Sequence, residues 1–125
     1  MKEENYGLLA KKLRNLERFD VAIVGAAIVH RNGLLIASRL PLDIDDRKFG
    51  AMVAALLNGM ESAMESLNNK KIRHITVEMD QTQILILSID KDLFLATLME
   101  IECNFGLILV ELEEFIKKIE PIIQG

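Results

Sequence analysis

The stretch VAIVGAAIVHRNGLLIAS, residues 21–38, decides the fold. Residues 21–29 form a continuous apolar run, which is typical of a strand covered on both faces. A second apolar run occupies residues 34–38, and Arg31-Asn32-Gly33 separates the two. An Asn-Gly pair tolerates positive φ at both central positions and favours a type I′ hairpin turn. The stretch therefore predicts two neighbouring antiparallel strands.

Helices are predicted on both sides of this hairpin. Upstream, apolar residues recur at three- and four-residue steps and predict an amphipathic helix that ends near Phe19. Downstream, Pro41 stops the second strand, and the carboxylates of residues 43–46 are typical of a helix cap. The middle helix that begins there is predicted to run to about Leu67.

Three more strands and a last helix follow. Residues 72–79 are predicted to form the third strand, and from His74 to Met79 polar and apolar side chains alternate strictly, which indicates one wet or edge-like face. Residues 84–89 and 93–99 are apolar on both faces and predict covered strands. An apolar stripe predicts a helix over about 104–119, which Pro121 is expected to end.

The order of these elements, α-β-β-α-β-β-β-α, predicts the architecture. Short links between strands require antiparallel pairing. Strands that are apolar on both faces need helices on both faces, and three helices with apolar stripes are available. We therefore expect a three-layer α/β/α sandwich around one five-stranded antiparallel sheet, of the α+β class, as a single domain over residues 1–125.

Composition narrows the classes of function. The 15 basic and 19 acidic side chains give a net charge of −4, which argues against nucleic-acid binding and against a polybasic membrane anchor. The chain has no apolar stretch long enough to cross a bilayer and no apolar run typical of a secretory signal. Its one cysteine, Cys103, excludes an intramolecular disulfide and fits a reducing cytoplasm. We expect a cytoplasmic protein without membrane insertion.

Motifs for chemistry are missing from the sequence. Neither GxxxxGK[ST] nor GxGxxG occurs, and His30, His74 and Cys103 lack the paired spacing of metal ligands. The segment with Asp43, Asp45 and Asp46 lacks the glycine and the terminal glutamate of a calcium-binding loop. Helix capping therefore explains these three carboxylates. The sequence predicts no catalytic residue, no cofactor and no metal. A small enzyme stays an alternative, because catalytic groups need not cluster in sequence.

The middle helix carries an uncommon row of small residues. Such a row lets a second helix approach closely, and a glycine inside a helix costs about 1 kcal/mol, which suggests a packing reason for Gly59. The third strand has no proline to block edge pairing, so a twofold partner can extend the sheet there. We therefore predict a homodimer whose interface contains Ala51, Ala55, Gly59, Ser62, Ala63, Ser66, Ile75 and Val77.

An alternative interpretation gives both features a role within one chain. The small residues then only pack under a loop or against the sheet. Arg73, His74 and Glu78 then serve as charged residues that keep the strand edge in solvent.

Taken together, the order and spacing of these elements resemble the Roadblock/LC7 family of small regulatory domains, in its prokaryotic form. The resemblance is carried by residues 24–38, 52–57 and 75–78 and extends over about 8–119. It implies a profilin-like fold and a homodimer with adjacent middle helices and a sheet continuous through paired third strands. It also implies a non-catalytic role in which the dimer binds and regulates small Ras-like GTPases or scaffolds their assemblies.

The family has no universal catalytic residue to carry over to this chain. Arg31, Arg39 and Arg73 are therefore not assigned as an arginine finger, which would stabilise charge in a transition state. A ligand-sensing module of profilin-, PAS- or GAF-like architecture is the alternative function, and a sizeable polar-lined cavity would favour it.

Overall fold

The computed structural model describes residues 2–68 and 71–125. In these ranges the chain forms three helices and five strands. They are α1 (Glu3–Phe19), β1 (Ile23–His30), β2 (Leu35–Arg39), α2 (Asp46–Glu65), β3 (His74–Glu78), β4 (Thr82–Ser88), β5 (Leu93–Glu100) and α3 (Phe105–Gln124). The strands form one antiparallel sheet in the order β2-β1-β5-β4-β3. The predicted order of elements and the five-stranded antiparallel sheet are confirmed.

Strand β1 contributes to two separate hydrophobic clusters because its side chains point alternately to the two faces of the sheet. Ala26 and Ile28 belong to a cluster that contains the buried residues of α1 and α3. Ala27 and Val29 belong to a second cluster, which contains the buried stripe of α2. All four side chains are fully buried. Helices α1 and α3 therefore pack on one face of the sheet, and α2 packs on the other.

The start of α2 is fixed by hydrogen bonds from its cap. The Asp45 carboxylate accepts from the backbone N–H groups of Arg47 and Lys48 at 2.9 and 3.2 Å. The Ser38 hydroxyl donates to the Asp46 carboxylate at 3.0 Å and joins the end of β2 to the first turn of the helix. The predicted capping role is confirmed for Asp45, whereas Asp46 lies in the first turn of the helix.

The β1–β2 turn differs from the predicted type I′ hairpin. A type I′ turn needs positive φ at two central residues. Gly33 has a φ of 95°, whereas Asn32 stays outside the positive region. The N–H of Gly33 donates to the His30 carbonyl at 2.8 Å, and the Asn32 side chain accepts from the N–H of Leu34 at 3.0 Å. Asn32 thus stabilises the turn through its side chain, and the type I′ prediction was wrong.

Strand β1 begins later than predicted. The Asp20 carboxylate accepts from the N–H of Ala22 at 2.8 Å, so a local turn takes the place of the first strand residues. Val21 is 93% exposed and lies in that turn. Strand β3 is likewise shorter than its alternating pattern, while β4 begins two residues before the predicted start at residue 84.

The predicted end of the last helix was also wrong. Pro121 lies inside α3, which continues to Gln124. A proline ring suits the φ of a helix, and tertiary contacts hold the turn that follows it. The Asn5 side-chain amide donates to the carbonyl of Ile122 at 3.0 Å, and Ile122 and Ile123 pack against the core cluster.

Helix α2 and the hairpin loop meet through their main chains at Gly50. A Cβ placed on Gly50 would lie 2.2 Å from the carbonyl oxygen of Gly33. We expect Gly50→Ala to lower the free energy of unfolding by about 1–3 kcal/mol, because overpacking outweighs the better helix propensity of alanine.

Gly7→Ala is the matched control for this variant. Gly7 also lies in a helix, but a Cβ there meets nothing within 4 Å, so the change is expected to raise stability by up to about 1 kcal/mol. Urea unfolding followed by circular dichroism measures both variants. A Gly50→Ala protein as stable as the wild type would contradict the close approach.

Candidate functional site

The small residues predicted at the interface form an exposed face of α2. Side chains of this helix that point to the sheet are buried, among them Val53 and Leu57. The opposite face, called the small-residue face below, is exposed and consists of Ala51, Ala55, Gly59, Ser62, Ala63 and Ser66. A Cβ on Gly59 would meet nothing within 4 Å. The alternative that these residues pack against the sheet or under a described loop was wrong.

This face is uncharged over most of its length. Between residues 51 and 64 every exposed residue is small, amide-bearing or apolar; they are Ala51, Ala55, Asn58, Gly59, Met60, Ser62 and Ala63. Met52, Leu56 and Met64 border the face and are half-buried. A helix face directed to solvent normally carries charged residues. The composition here is instead typical of a face that another protein surface covers.

Strand β3 forms an edge of the sheet, next to β4 alone among the described strands. Its side chains divide between the two faces. Ile75 and Val77 are half-buried, and Ile75 packs against the cluster that also holds Met52 and Leu56 of α2. The side chains of His74, Thr76 and Glu78 are exposed on the other face. The structure thus brings the two halves of the predicted interface, α2 and β3, to one side of the sheet.

Arg31 anchors α2, a role that the sequence analysis did not foresee. Its guanidinium forms a bidentate ion pair with the Glu61 carboxylate. Nη1 donates to Oε1, and Nη2 donates to Oε2 at 3.2 Å. The guanidinium also donates to the Asn58 side chain at 3.1 Å and to the Lys91 carbonyl at 3.2 and 2.7 Å. The guanidinium lies 5.3 Å from the centre of the Phe94 ring.

These contacts join α2 to the β1–β2 loop and the β4–β5 loop. The hydrogen bond to Glu61, helped by the charges of Glu61 and Asp92, raises the pKa of Arg31 despite its partial burial. Because these partners occupy the guanidinium donors, we interpret the role of Arg31 as structural. Arg39 pairs with Glu17 at 3.3 Å, and Arg73 is exposed and forms no ion pair with a described residue.

We expect Arg31→Met to destabilise the fold, because it removes several hydrogen bonds and leaves Glu61 without its partner. The side chains of both residues are about one-third exposed, at 31% and 33%, so solvent moderates the loss. The free energy of unfolding should fall by about 1–2 kcal/mol. Urea denaturation measures it.

Arg39→Met is the control for a surface arginine with one partner. Its expected change is within about 0.5 kcal/mol, since exposed ion pairs contribute little. Equal losses in the two variants would contradict the anchoring role of Arg31.

A groove of about 800 Å³ lies where the β4–β5 loop, the start of β3, α2 and α3 meet. It is called the end groove below. Its lining includes apolar side chains such as Leu57, Phe94 and Ile116. Charged and polar residues also line it, among them Arg73 and His74. The end groove is therefore the sizeable cavity with polar lining that bears on a ligand-sensing function.

The remaining candidate side chains have local structural roles. Cys103 follows β5 and is half-buried, and the Gln83 amide donates to its Sγ at 3.7 Å. Burial first, and the charge of Asp20 second, raise the pKa of the Cys103 thiol. The His30 ring accepts from the N–H of Asn32 at 3.0 Å. Across residues 2–68 and 71–125, His, Cys, Asp and Glu side chains form no group of three suited to a metal ion.

No helix within residues 2–68 and 71–125 combines the length and the apolar character that a transmembrane helix requires.

Comparisons with known proteins agree with this architecture. A model of the Roadblock/LC7 domain matches residues 15–99. The uncharacterised protein MJ0714 of Methanocaldococcus jannaschii is 26% identical over 115 residues, which cover 92% of this chain and 96% of that protein.

Solved structures show the same fold at low sequence identity. Myxococcus xanthus MglB superposes with a TM-score of 0.89 at 16% identity, covering 99% of this chain and 93% of MglB. A Roadblock/LC7 domain from Streptomyces avermitilis gives a TM-score of 0.86 at 17% identity, covering 93% of this chain and 98% of that domain. Since the family model spans more than half of a chain with this topology, the protein belongs to the Roadblock/LC7 family.

Proposed function

We propose that the protein acts as a homodimer formed through the small-residue face of α2 and the edge of β3. The observation that carries this proposal is the run of exposed, uncharged residues from Ala51 to Ala63. Small side chains let two helices approach along four-residue ridges, and Gly59 offers the closest approach. Leaving such a face in water would expose apolar surface without benefit to the single chain.

Strand β3 supports the same arrangement. Its outer edge has no neighbouring strand among the described residues, and an unpaired edge presents free N–H and C=O groups. Ile75 and Val77 are half-buried on the side of α2, so pairing at the edge would cover them further. One twofold axis can relate two copies of both elements, as expected for an isologous interface.

We expect Gly59→Arg to weaken the dimer. The long cationic side chain would obstruct the approach of the helices and place a charge without a partner in the contact. The dissociation constant should rise about tenfold or more, which corresponds to roughly 1.4 kcal/mol. Light scattering and analytical ultracentrifugation over a concentration series measure the effect.

Gly7→Arg is the matched control, because Gly7 also lies in a helix with open space around its Cβ. This variant should dimerise like the wild type. A wild-type protein that stays monomeric at high concentration would refute the dimer. A Gly59→Arg protein that dimerises normally would exclude the α2 contact.

We further propose that the dimer regulates or scaffolds a small Ras-like GTPase without catalysing a reaction itself. Members of the Roadblock/LC7 family are generally regulatory, non-catalytic proteins. The choice of a small Ras-like GTPase as the partner rests on the resemblance to this family. A dimer offers a broad platform across its axis, which suits the roughly 1,200–2,000 Å² that specific complexes bury. We place this activity in the cytoplasm.

The anchoring of Arg31 bears on how such a regulator would act. Its guanidinium donors are occupied by Glu61, Asn58 and Lys91, so it is not available to enter a partner's active site. Regulation is therefore proposed to act by holding one conformation of the GTPase rather than by inserting this arginine. Discrimination between nucleotides then requires different contacts with the GTP and GDP conformations.

The test is calorimetric titration of the protein with Ras-like GTPases from the same source, loaded with GDP or a non-hydrolysable GTP analogue, at physiological salt. We expect at least one GTPase to bind, with different affinities in its two nucleotide states. The Gly59→Arg variant should bind more weakly, because the proposed surface is shared by both protomers.

Equal binding in the two states would support a constitutive scaffold instead of a switch reader. Absence of binding in both states would refute the GTPase assignment.

The end groove favours a second candidate, a ligand-sensing module of profilin-, PAS- or GAF-like architecture. Its volume of about 800 Å³ is within the size range of small-molecule sites, and its lining combines apolar residues with charged ones. If no GTPase binds in the titration described above, the ligand-sensing function is favoured over GTPase regulation.

A further inference from the structure

The last two turns of α2, residues 58–65, lie outside the core. None of these residues is buried, whereas the first part of the helix, residues 46–57, contains all the buried residues of α2. Met52 and Leu56, the half-buried α2 residues that pack against the core cluster, also lie in that first part. Within 58–65 two residues are half-buried and the others are exposed. The end of the helix thus projects beyond the core that holds its beginning.

The sequence of these two turns does not favour a helix by itself. Asn58, Gly59 and Ser62 have low helix propensities. Glu65 lies in the last turn, where no basic residue balances the negative end of the helix dipole. A helix of two turns is marginal in water even with a favourable sequence. Contacts with the rest of the chain therefore have to hold these turns in place.

One residue, Arg31, provides these contacts. Its guanidinium binds the Glu61 carboxylate and donates to the Asn58 side chain. The Asn58 amide in turn donates to the backbone carbonyl of Arg31 at 3.3 Å. Within the described chain, residue 31 makes every side-chain hydrogen bond and ion pair that joins residues 58–65 to another element.

We infer that Arg31 acts as a latch: when its pair with Glu61 breaks, residues 58–65 open locally while residues 46–57 stay packed. A segment with few buried contacts opens at a lower free energy than the whole domain. Half of the small-residue face lies in this segment, so Arg31 positions that half although it is not part of the face. The local opening is independent of the proposed homodimer, whereas its link to assembly rests on that proposal.

The latch also closes one side of the end groove. Arg31, Leu57, Glu61 and Phe94 all line this groove. The guanidinium lies 5.3 Å from the centre of the Phe94 ring, and Leu57 and Phe94 are only 3% and 4% exposed. Opening of the last turns would expose these apolar side chains to the groove. A single ion pair thus links the state of the end groove to the state of the small-residue face.

Hydrogen exchange followed by NMR tests the latch at single residues. The amides of residues 62–65 bond to the carbonyls of residues 58–61, so they exchange when this segment opens. In Arg31→Met these amides should exchange about tenfold faster than in the wild type, while the amides of residues 53–57 should change by less than about twofold. Arg39→Met removes an exposed arginine with one partner and is the control that should leave both groups unchanged.

Salt gives a second readout that needs no variant. The two side chains of the pair are 31% and 33% exposed, so dissolved ions screen their attraction. Raising NaCl from about 0.05 M to about 0.5 M should speed exchange at residues 62–65 of the wild type by about two- to fivefold. The same change should have little effect in Arg31→Met, because the pair is already absent.

A concentration series separates the latch from the dimer. Exchange at residues 62–65, measured by mass spectrometry, should slow as the wild type dimerises, because the segment would have to leave the contact before it opens. A dimer that forms without this slowing would overturn the link between the latch and the small-residue face. A monomeric wild type would refute the proposed homodimer, and the variant and salt comparisons would still decide the latch.

Three results would overturn the latch itself. Equal acceleration at residues 53–57 and 62–65 in Arg31→Met would mean that the whole helix opens as one unit. Unchanged exchange at residues 62–65 would mean that Arg31 does not hold them. Wild-type exchange that salt leaves unaltered, or a salt effect that persists in Arg31→Met, would mean that the ion pair does not control the opening.

Discussion

The burial of β1 on both faces is the constraint on which the rest of the structure depends. Four consecutive residues, 26–29, are fully buried although they point alternately to opposite sides of the sheet. Exposing either face of the strand to water would cost about 25 cal/mol of free energy for each Å² of apolar surface. The helices must therefore divide between the two faces, with α1 and α3 on one and α2 on the other.

Because α2 covers its face alone, its own position has to be secured by specific contacts. The Asp45 cap and the approach of Gly50 to the hairpin loop fix its first half, while Arg31 holds its second half through Asn58 and Glu61. These contacts use the edges and the inner face of the helix. The small-residue face takes no part in these contacts and is exposed.

Much of the fold could be predicted from the sequence, since periodicity reports which faces of an element are buried. The departures come from local hydrogen bonds and tertiary contacts that periodicity does not encode. Val21 belongs to an apolar run, yet the Asp20 side chain turns the chain there. Pro121 reads as a helix end, yet the Asn5 amide holds the turn beyond it. Arg31 and Glu61 are 30 residues apart and match no motif, so their pairing required the folded chain. The small-residue face was found because its spacing of four is itself periodic.

The contact between Gly33 and Gly50 has a consequence for how this chain can vary and move. The two glycines meet main chain to main chain, so no side chain at either position can lengthen, tilt or yield to absorb a displacement. A shift of the hairpin loop towards α2 is passed directly to the helix axis. A larger residue at position 50 must be accompanied by a displaced or remodelled loop. Hairpin and helix are thus one mechanical unit, and they are expected to change together, both in motion and over evolution.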